Sequence, residues 1–179
     1  MTKYIALLKA INVGGHTVKM DHLKNLFEKM GFEKVETFIA SGNVVFETKS
    51  QSVDSIKKKI ETELEKSLGY KVGTFIRTTK ELKEISEYVP FKNADLGDKK
   101  NSLYIGFLDS EPDKDRKKKT LELSDRANEF IFNKKELYWF CRKNFSDSGI
   151  TGKTLEKALG METTIRNSTT IRKMVARFC

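Results

Sequence analysis

Apolar residues run unbroken from Tyr4 to Leu8, a pattern that predicts a buried strand over residues 3–11. Met20, Leu23, Leu26, Phe27 and Met30 then recur at helical spacing, with Gly31 placed to cap the helix in the left-handed conformation. Val35 to Ala40 and Asn43 to Thr48 read as two strands joined by a tight turn at Ser41-Gly42. Val53, Ile56, Ile60, Leu64 and Leu68 mark one face of a long helix, with Ser52 as N-cap and Gly69 just past its end. Val72 to Arg77 is a fourth strand. The order strand, helix, strand, strand, helix, strand is the split β-α-β arrangement of ferredoxin-like folds. In that topology the loop after the first strand and the turn after the second emerge at one sheet edge. Asn12-Val13-Gly14-Gly15 and Ser41-Gly42-Asn43 are therefore expected to be neighbours.

A short helix from Thr79 to Tyr88 is stopped by Pro90, and the polar residues 92–101 read as a connection. Beyond it come a strand (Leu103 to Leu108), a helix (Asp113 to Leu123) and a hairpin (Glu129–Asn133 with Glu136–Cys141). Helices at Gly152 to Leu159 and Thr169 to Phe178 close the pattern. No final strand stands out, and the residues do not repeat those of the first half. The predicted fold is α+β: two ferredoxin-like halves, antiparallel sheets with helices packed on them, the second incomplete. The expected division is 1–91, a connection at 92–101, and 102–179.

Charge narrows the partners. Lys and Arg number 34 against 25 Asp and Glu, a net charge of +9. That sign favours acidic partners such as nucleic acid or phosphorylated metabolites. The excess is mostly lysine in runs such as Lys57-Lys58-Lys59 and Lys117-Lys118-Lys119, which read as solvated faces. Cys141 and Cys179 lie far apart, and His16 and His22 are the only histidines, so no familiar zinc spacing exists and no metal is expected. No disulfide framework, signal-peptide pattern or apolar run long enough to span a membrane is visible, and the expected compartment is the cytoplasm.

Two motif-like stretches fail on inspection. Gly152-Lys153-Thr154 would need a glycine five residues earlier to be a P-loop, and that residue is Asp147, which would repel phosphate. The central strands lack the stacking aromatics of RNA-recognition domains. The glycine pair Gly14-Gly15 supplies positive φ and bare N–H groups, either for a strand-to-helix connection alone or for an anion-binding nest. Thr164-Ile165-Arg166-Asn167-Ser168 reads as a lead-in to the last helix, where Ser, Thr and Asn serve as caps. Capping does not explain Arg166, because a cation at the positive end of a helix dipole needs an anion nearby, from a ligand or from a carboxylate.

Taken in order, Ile11-Asn12-Val13-Gly14-Gly15, Ser41-Gly42-Asn43-Val44-Val45-Phe46 and Thr164-Ile165-Arg166-Asn167 resemble the bacterial domain-of-unknown-function family 1697. The resemblance spans essentially the whole chain. It implies a cytoplasmic bacterial protein of ferredoxin-like type and brings no established activity. Lys9-Ala10, Ser168 and Gly152-Lys153-Thr154 stand where the family usually has Arg-Gly, Trp and a Lys or Arg-Ser-Lys pattern.

These residues support a binding protein for a phosphorylated or otherwise anionic small molecule. Asn12, Gly14, Gly15, Ser41, Gly42 and Asn43 would form the rim, with Arg166 and Asn167 as charge partner. The alternatives are a nucleic-acid-binding protein using the basic C-terminal helix, an enzyme on the same site with His16 as base, and a partner-binding module. No nucleophile–base–orienter set is visible, so no catalytic residue is named, and no cofactor is expected. Oligomeric state is not legible.

Overall fold

A computed structural model describes residues 1–50 and 52–179. By its contacts the chain divides into two compact units, Met1–Lys83 with Met174–Cys179, and Glu84–Lys173.

The first unit contains β1 (Thr2–Leu8), α1 (Met20–Lys29), β2 (Glu33–Phe38), β3 (Asn43–Thr48), α2 (Val53–Leu68) and β4 (Thr74–Thr78). Its sheet has the order β2-β3-β1-β4, every neighbouring pair antiparallel, which is the ferredoxin-like topology. Tyr4, Ala6 and Leu8 alternate along β1 and share one core with Leu23 and Phe27 of α1 and Ile56, Ile60 and Leu64 of α2. A ten-residue helix is marginal alone. Burial of Leu23, Leu26 and Phe27 holds α1 in place, at about 2 kcal/mol for each side chain fully removed from water. The long helix is stopped as its sequence predicts: the Ser52 side chain accepts the Ser55 N–H, and Gly69 closes the end at φ 82°. The first strand ends at Leu8, short of the expected residue 11, because Ala10 and Asn12 turn to positive φ (63° and 55°).

The second unit contains β5 (Ser102–Phe107), α4 (Lys114–Leu121), β6 (Asn128–Asn133), β7 (Glu136–Cys141), α5 (Gly152–Leu159) and β8 (Thr164–Asn167). Its sheet order, β6-β7-β5-β8, is again antiparallel throughout and matches the first position for position. The second half is therefore complete, correcting the expectation that it lacks a final strand. Thr164–Asn167 is that strand, paired with Tyr104–Phe107, and not a loop leading into the last helix. It is only four residues long, and its polar side chains conceal the alternation that marks a strand.

Two helices, α3 (Thr79–Glu87) and α6 (Ser168–Phe178), have residues in both units. The expected connection at 92–101 lies inside the second unit, and so does the end of α3. The Tyr138 hydroxyl donates to the Ile85 carbonyl at 3.1 Å, and the Tyr88 ring lies 5.0 Å from that of Tyr138. The chain's last turn belongs to the first unit: Phe178 meets Phe38 edge-on at 5.8 Å, and Arg177 bonds Glu36 at 3.0 Å. An apolar helix face reveals that it must be covered and not which sheet covers it, so these memberships are not written in the sequence.

The turn before β3 offers a direct check of this geometry. A Cβ on Gly42 would lie 2.9 Å from Ile11 Cβ and 3.1 Å from Leu8 Cβ, at φ 76°. Gly42→Ala is expected to destabilise the protein by about 3 kcal/mol, combining left-handed strain with overpacking. Gly31→Ala, at φ 82° with open space around it, is expected to cost only about 1 kcal/mol. Urea unfolding of the two variants checks the difference; equal losses would place Gly42 away from Ile11.

Candidate functional site

The loop after β1 and the turn before β3 do meet at one rim of the first sheet. Leu8 N–H donates to the Gly42 carbonyl at 2.8 Å, closing the ladder where the two connections leave it. Asn12 then ties them together. Its Nδ2 donates to the Ala40 carbonyl at 2.8 Å, and its Oδ1 accepts the Val18 N–H at 2.6 Å. On the turn side, buried Asn43 donates from Nδ2 to the Phe38 carbonyl (3.0 Å) and the Ser41 hydroxyl (2.8 Å). Asn12, Ser41, Gly42 and Asn43 thus hold the rim's shape.

Gly14 and Gly15 stand at its exposed tip, at φ 62° and 85°, and their amides make no hydrogen bond among the described residues. The loop is braced from the other side as well. Lys9 N–H reaches the Gly73 carbonyl at 2.8 Å, and the His16 ring stacks on Tyr70 with centroids 3.9 Å apart. Tyr70 was not visible as a rim residue in the sequence, because nothing in Gly69-Tyr70-Lys71 signals a partner more than fifty positions earlier. Its hydroxyl is buried and has no partner among the described residues, and burial raises its pKa above the ordinary tyrosine value.

Arg166 and Asn167 lie in the second unit, whereas the glycine rim is in the first. Arg166 is a strand residue opposite Ile105, buried to 8% exposure. Its Nη1 donates to the Thr164 hydroxyl at 2.8 Å and to the Ile165 carbonyl at 3.0 Å. Burial pushes its pKa down to about 10, which leaves the guanidinium charged at neutral pH. Asn167 is a helix cap, its Oδ1 accepting the Thr169 N–H at 2.8 Å.

Arg166 also has a counterpart in the first unit. Arg77 on β4 lies opposite Ile5, as Arg166 on β8 lies opposite Ile105, and it too donates to the carbonyl of the isoleucine before it, at 2.8 Å. Ile76-Arg77 and Ile165-Arg166 are thus an internal echo that the sequence alone did not disclose. A feature repeated at the same register in both units follows the fold.

Two lysines of the run on α2 are engaged with groups of their own unit. Lys57 pairs with Glu61 at 3.7 Å, and the Lys59 ammonium lies 5.4 Å from the Phe32 ring centre. Gly152 opens α5 behind a Thr151 cap, the helix start that its failed P-loop spacing left it. Among the described residues no helix is long and apolar enough to cross a membrane, and no group of three or more His, Cys, Asp or Glu could hold a metal ion.

Two α+β units of ferredoxin-like topology, one of them carrying a glycine-rich rim, define the class to which this protein belongs. Its family follows from the sequence: the chain belongs to the family described as "Protein of unknown function (DUF1697)", whose model matches residues 1–138. Among solved structures it is similar to the conserved bacterial protein SP0830 from Streptococcus pneumoniae. That similarity has 26% identity and a TM-score of 0.77, and covers 98% of this chain and 97% of that one. No curated protein matches.

The burial of Arg166 makes its contribution to stability measurable without any ligand. Arg166→Ala removes the bonds to Thr164 and Ile165, among others, and leaves a cavity in place of a buried side chain, for an expected loss of about 3 kcal/mol in urea unfolding of the ligand-free protein. Unchanged stability would return Arg166 to the role of a ligand's charge partner.

Proposed function

We propose that the rim of the first unit binds a small anionic molecule through the backbone amides of Gly14 and Gly15. The observation that carries this reading is the contrast between two copies of one fold. Both units close the end of the central strand pair in the same way, with Leu8 N–H on Gly42 and Leu108 N–H on Lys135, at 2.8 and 3.0 Å. The second unit then reaches its helix directly through residues 108–113, which contain no glycine. The first takes residues 9–19, with Ala10, Asn12, Gly14 and Gly15 all at positive φ. The connection itself therefore does not require the glycine pair. A longer loop that turns free N–H groups outward, between Lys9 and Lys19, is the arrangement by which backbone nests hold phosphate and similar anions.

Arg166 and Asn167 are not needed as partners in this reading, since both are occupied in the second unit. Asn12, Ser41, Gly42 and Asn43 act as the frame, and the amides as the binding atoms. His16, stacked on Tyr70, is a bracing residue in this reading, which is one of binding and not of catalysis.

Thermal unfolding with inorganic phosphate, pyrophosphate and a nucleoside triphosphate tests the reading. A bound anion at about 100 times its dissociation constant is expected to add about 2.7 kcal/mol. In a variant carrying Gly14→Ala and Gly15→Ala, left-handed strain lowers the ligand-free Tm, and the anion-dependent increment is expected to disappear. A melting temperature indifferent to all three anions, or an increment retained in the variant, would overturn the proposal.

A further inference from the structure

A cleft of about 110 Å³ opens in the second unit, and no residue of the glycine rim lines it. Ile85, Leu103, Ile105 and the Tyr138 ring make its apolar body, and three large exposed apolar side chains, Tyr88, Val89 and Leu96, also line it. Such clustering on a surface otherwise rich in lysine marks an interaction site. No carboxylate is among the lining residues. The Tyr138 hydroxyl is already committed to the Ile85 carbonyl.

Two polar groups remain. Ser168, only 6% exposed, lines the cleft, and its hydroxyl has no hydrogen-bond partner among the described residues. Arg172 follows one helical turn later on the same face of α6. Its guanidinium makes a single hydrogen bond, 3.3 Å to the Thr169 hydroxyl, and no ion pair among the described residues. Ser168 therefore has a hydroxyl to donate at the cleft wall, and Arg172, past the first turn of α6, has guanidinium N–H groups in no ion pair among the described residues. One group satisfies both donors: an anionic oxygen that accepts from Ser168 and Arg172 together.

We infer that this cleft binds a short-chain carboxylate, with the hydrocarbon tail against Ile85, Leu103, Ile105 and Tyr138 and the carboxylate on Ser168 and Arg172. The apolar body selects against a phosphate or a polyanion, whose hydration nothing inside would replace. A 150 Å³ apolar cavity takes benzene, so this one accommodates a tail of about four carbons. The site is independent of the glycine rim, and neither proposal depends on the other.

The experiment is a methyl-labelled NMR titration of the full chain with acetate, butyrate, pentanoate and octanoate, with pentanamide as the uncharged control. The Ile85 and Ile105 methyls report occupancy of the cleft directly. Affinity is expected to rise about fourfold per methylene up to pentanoate and then level off, because burial of each methylene contributes a fixed increment until the space is full. Pentanamide, and pentanoate with the Arg172→Gln variant, are each expected to bind at least tenfold more weakly. Arg172 is exposed, so its replacement leaves the fold intact, and Ser168→Ala provides a second, smaller loss by the same readout. Three results would overturn the inference. They are methyls that do not move, an affinity that keeps climbing through octanoate, and equal binding by the Arg172→Gln variant.

Discussion

The pairing of β1 with β3 is the constraint on which the first unit depends. Six residues of β1 lie in register with six of β3, from Thr2 opposite Thr48 to Leu7 opposite Asn43. Because the pair is antiparallel, the end of one strand must meet the beginning of the other. Two connections separated by nearly thirty residues are thereby brought to one edge. The alternation along β1 follows from the same pairing: Tyr4, Ala6 and Leu8 turn toward the helices, and any slip of one residue would exchange them for Lys3, Ile5 and Leu7. The second unit repeats the device with Ser102–Phe107 against Glu136–Cys141.

Two copies of one frame allow the molecule to act as its own control. Where the copies agree, the fold is the economical explanation. Arg77 and Arg166 hold the same register and make the same bond to the preceding carbonyl, as a structural feature of the last strand would. Where they differ, the fold cannot be the reason. The loop at 9–19 has no equivalent in length or backbone conformation at 108–113, and the fold tolerates both. Function is better sought in such differences than in the shared scaffold.

Most of the frame was legible because it is made of local signals. Asn43–Thr48 and Gly152–Leu159 have the bounds expected from turn residues and helical spacing, and Ser52 and Gly69 cap α2 as their types imply. The meeting of Asn12-Gly15 with Ser41-Asn43 was legible too, since topology alone requires it. What the sequence concealed is non-local. Thr164–Asn167 has one unmistakably apolar residue and becomes a strand through its bonds to Tyr104–Phe107, some sixty positions earlier. Read without that partner, it resembles a capped lead-in, and Arg166 a cation placed where an anion is needed. Tyr70 beneath His16, and the cleft drawn from α3, β5, β7 and α6, are likewise products of chain segments that share no periodicity.

The two candidate sites also differ in kind, and the difference follows from how each removes water. At the glycine rim the proposed donors are backbone amides on an exposed tip. Such a site retains hydration around a ligand and suits an anion that carries several charges and keeps most of its water. At the cleft the donors are one hydroxyl and one guanidinium at the end of an apolar body. There a hydrated polyanion loses more than it gains, and a single carboxylate with a hydrocarbon tail gains from both ends. The two proposals thus place two forms of anion recognition on one four-stranded frame, distinguished by whether loop backbone or side chains supply the donors.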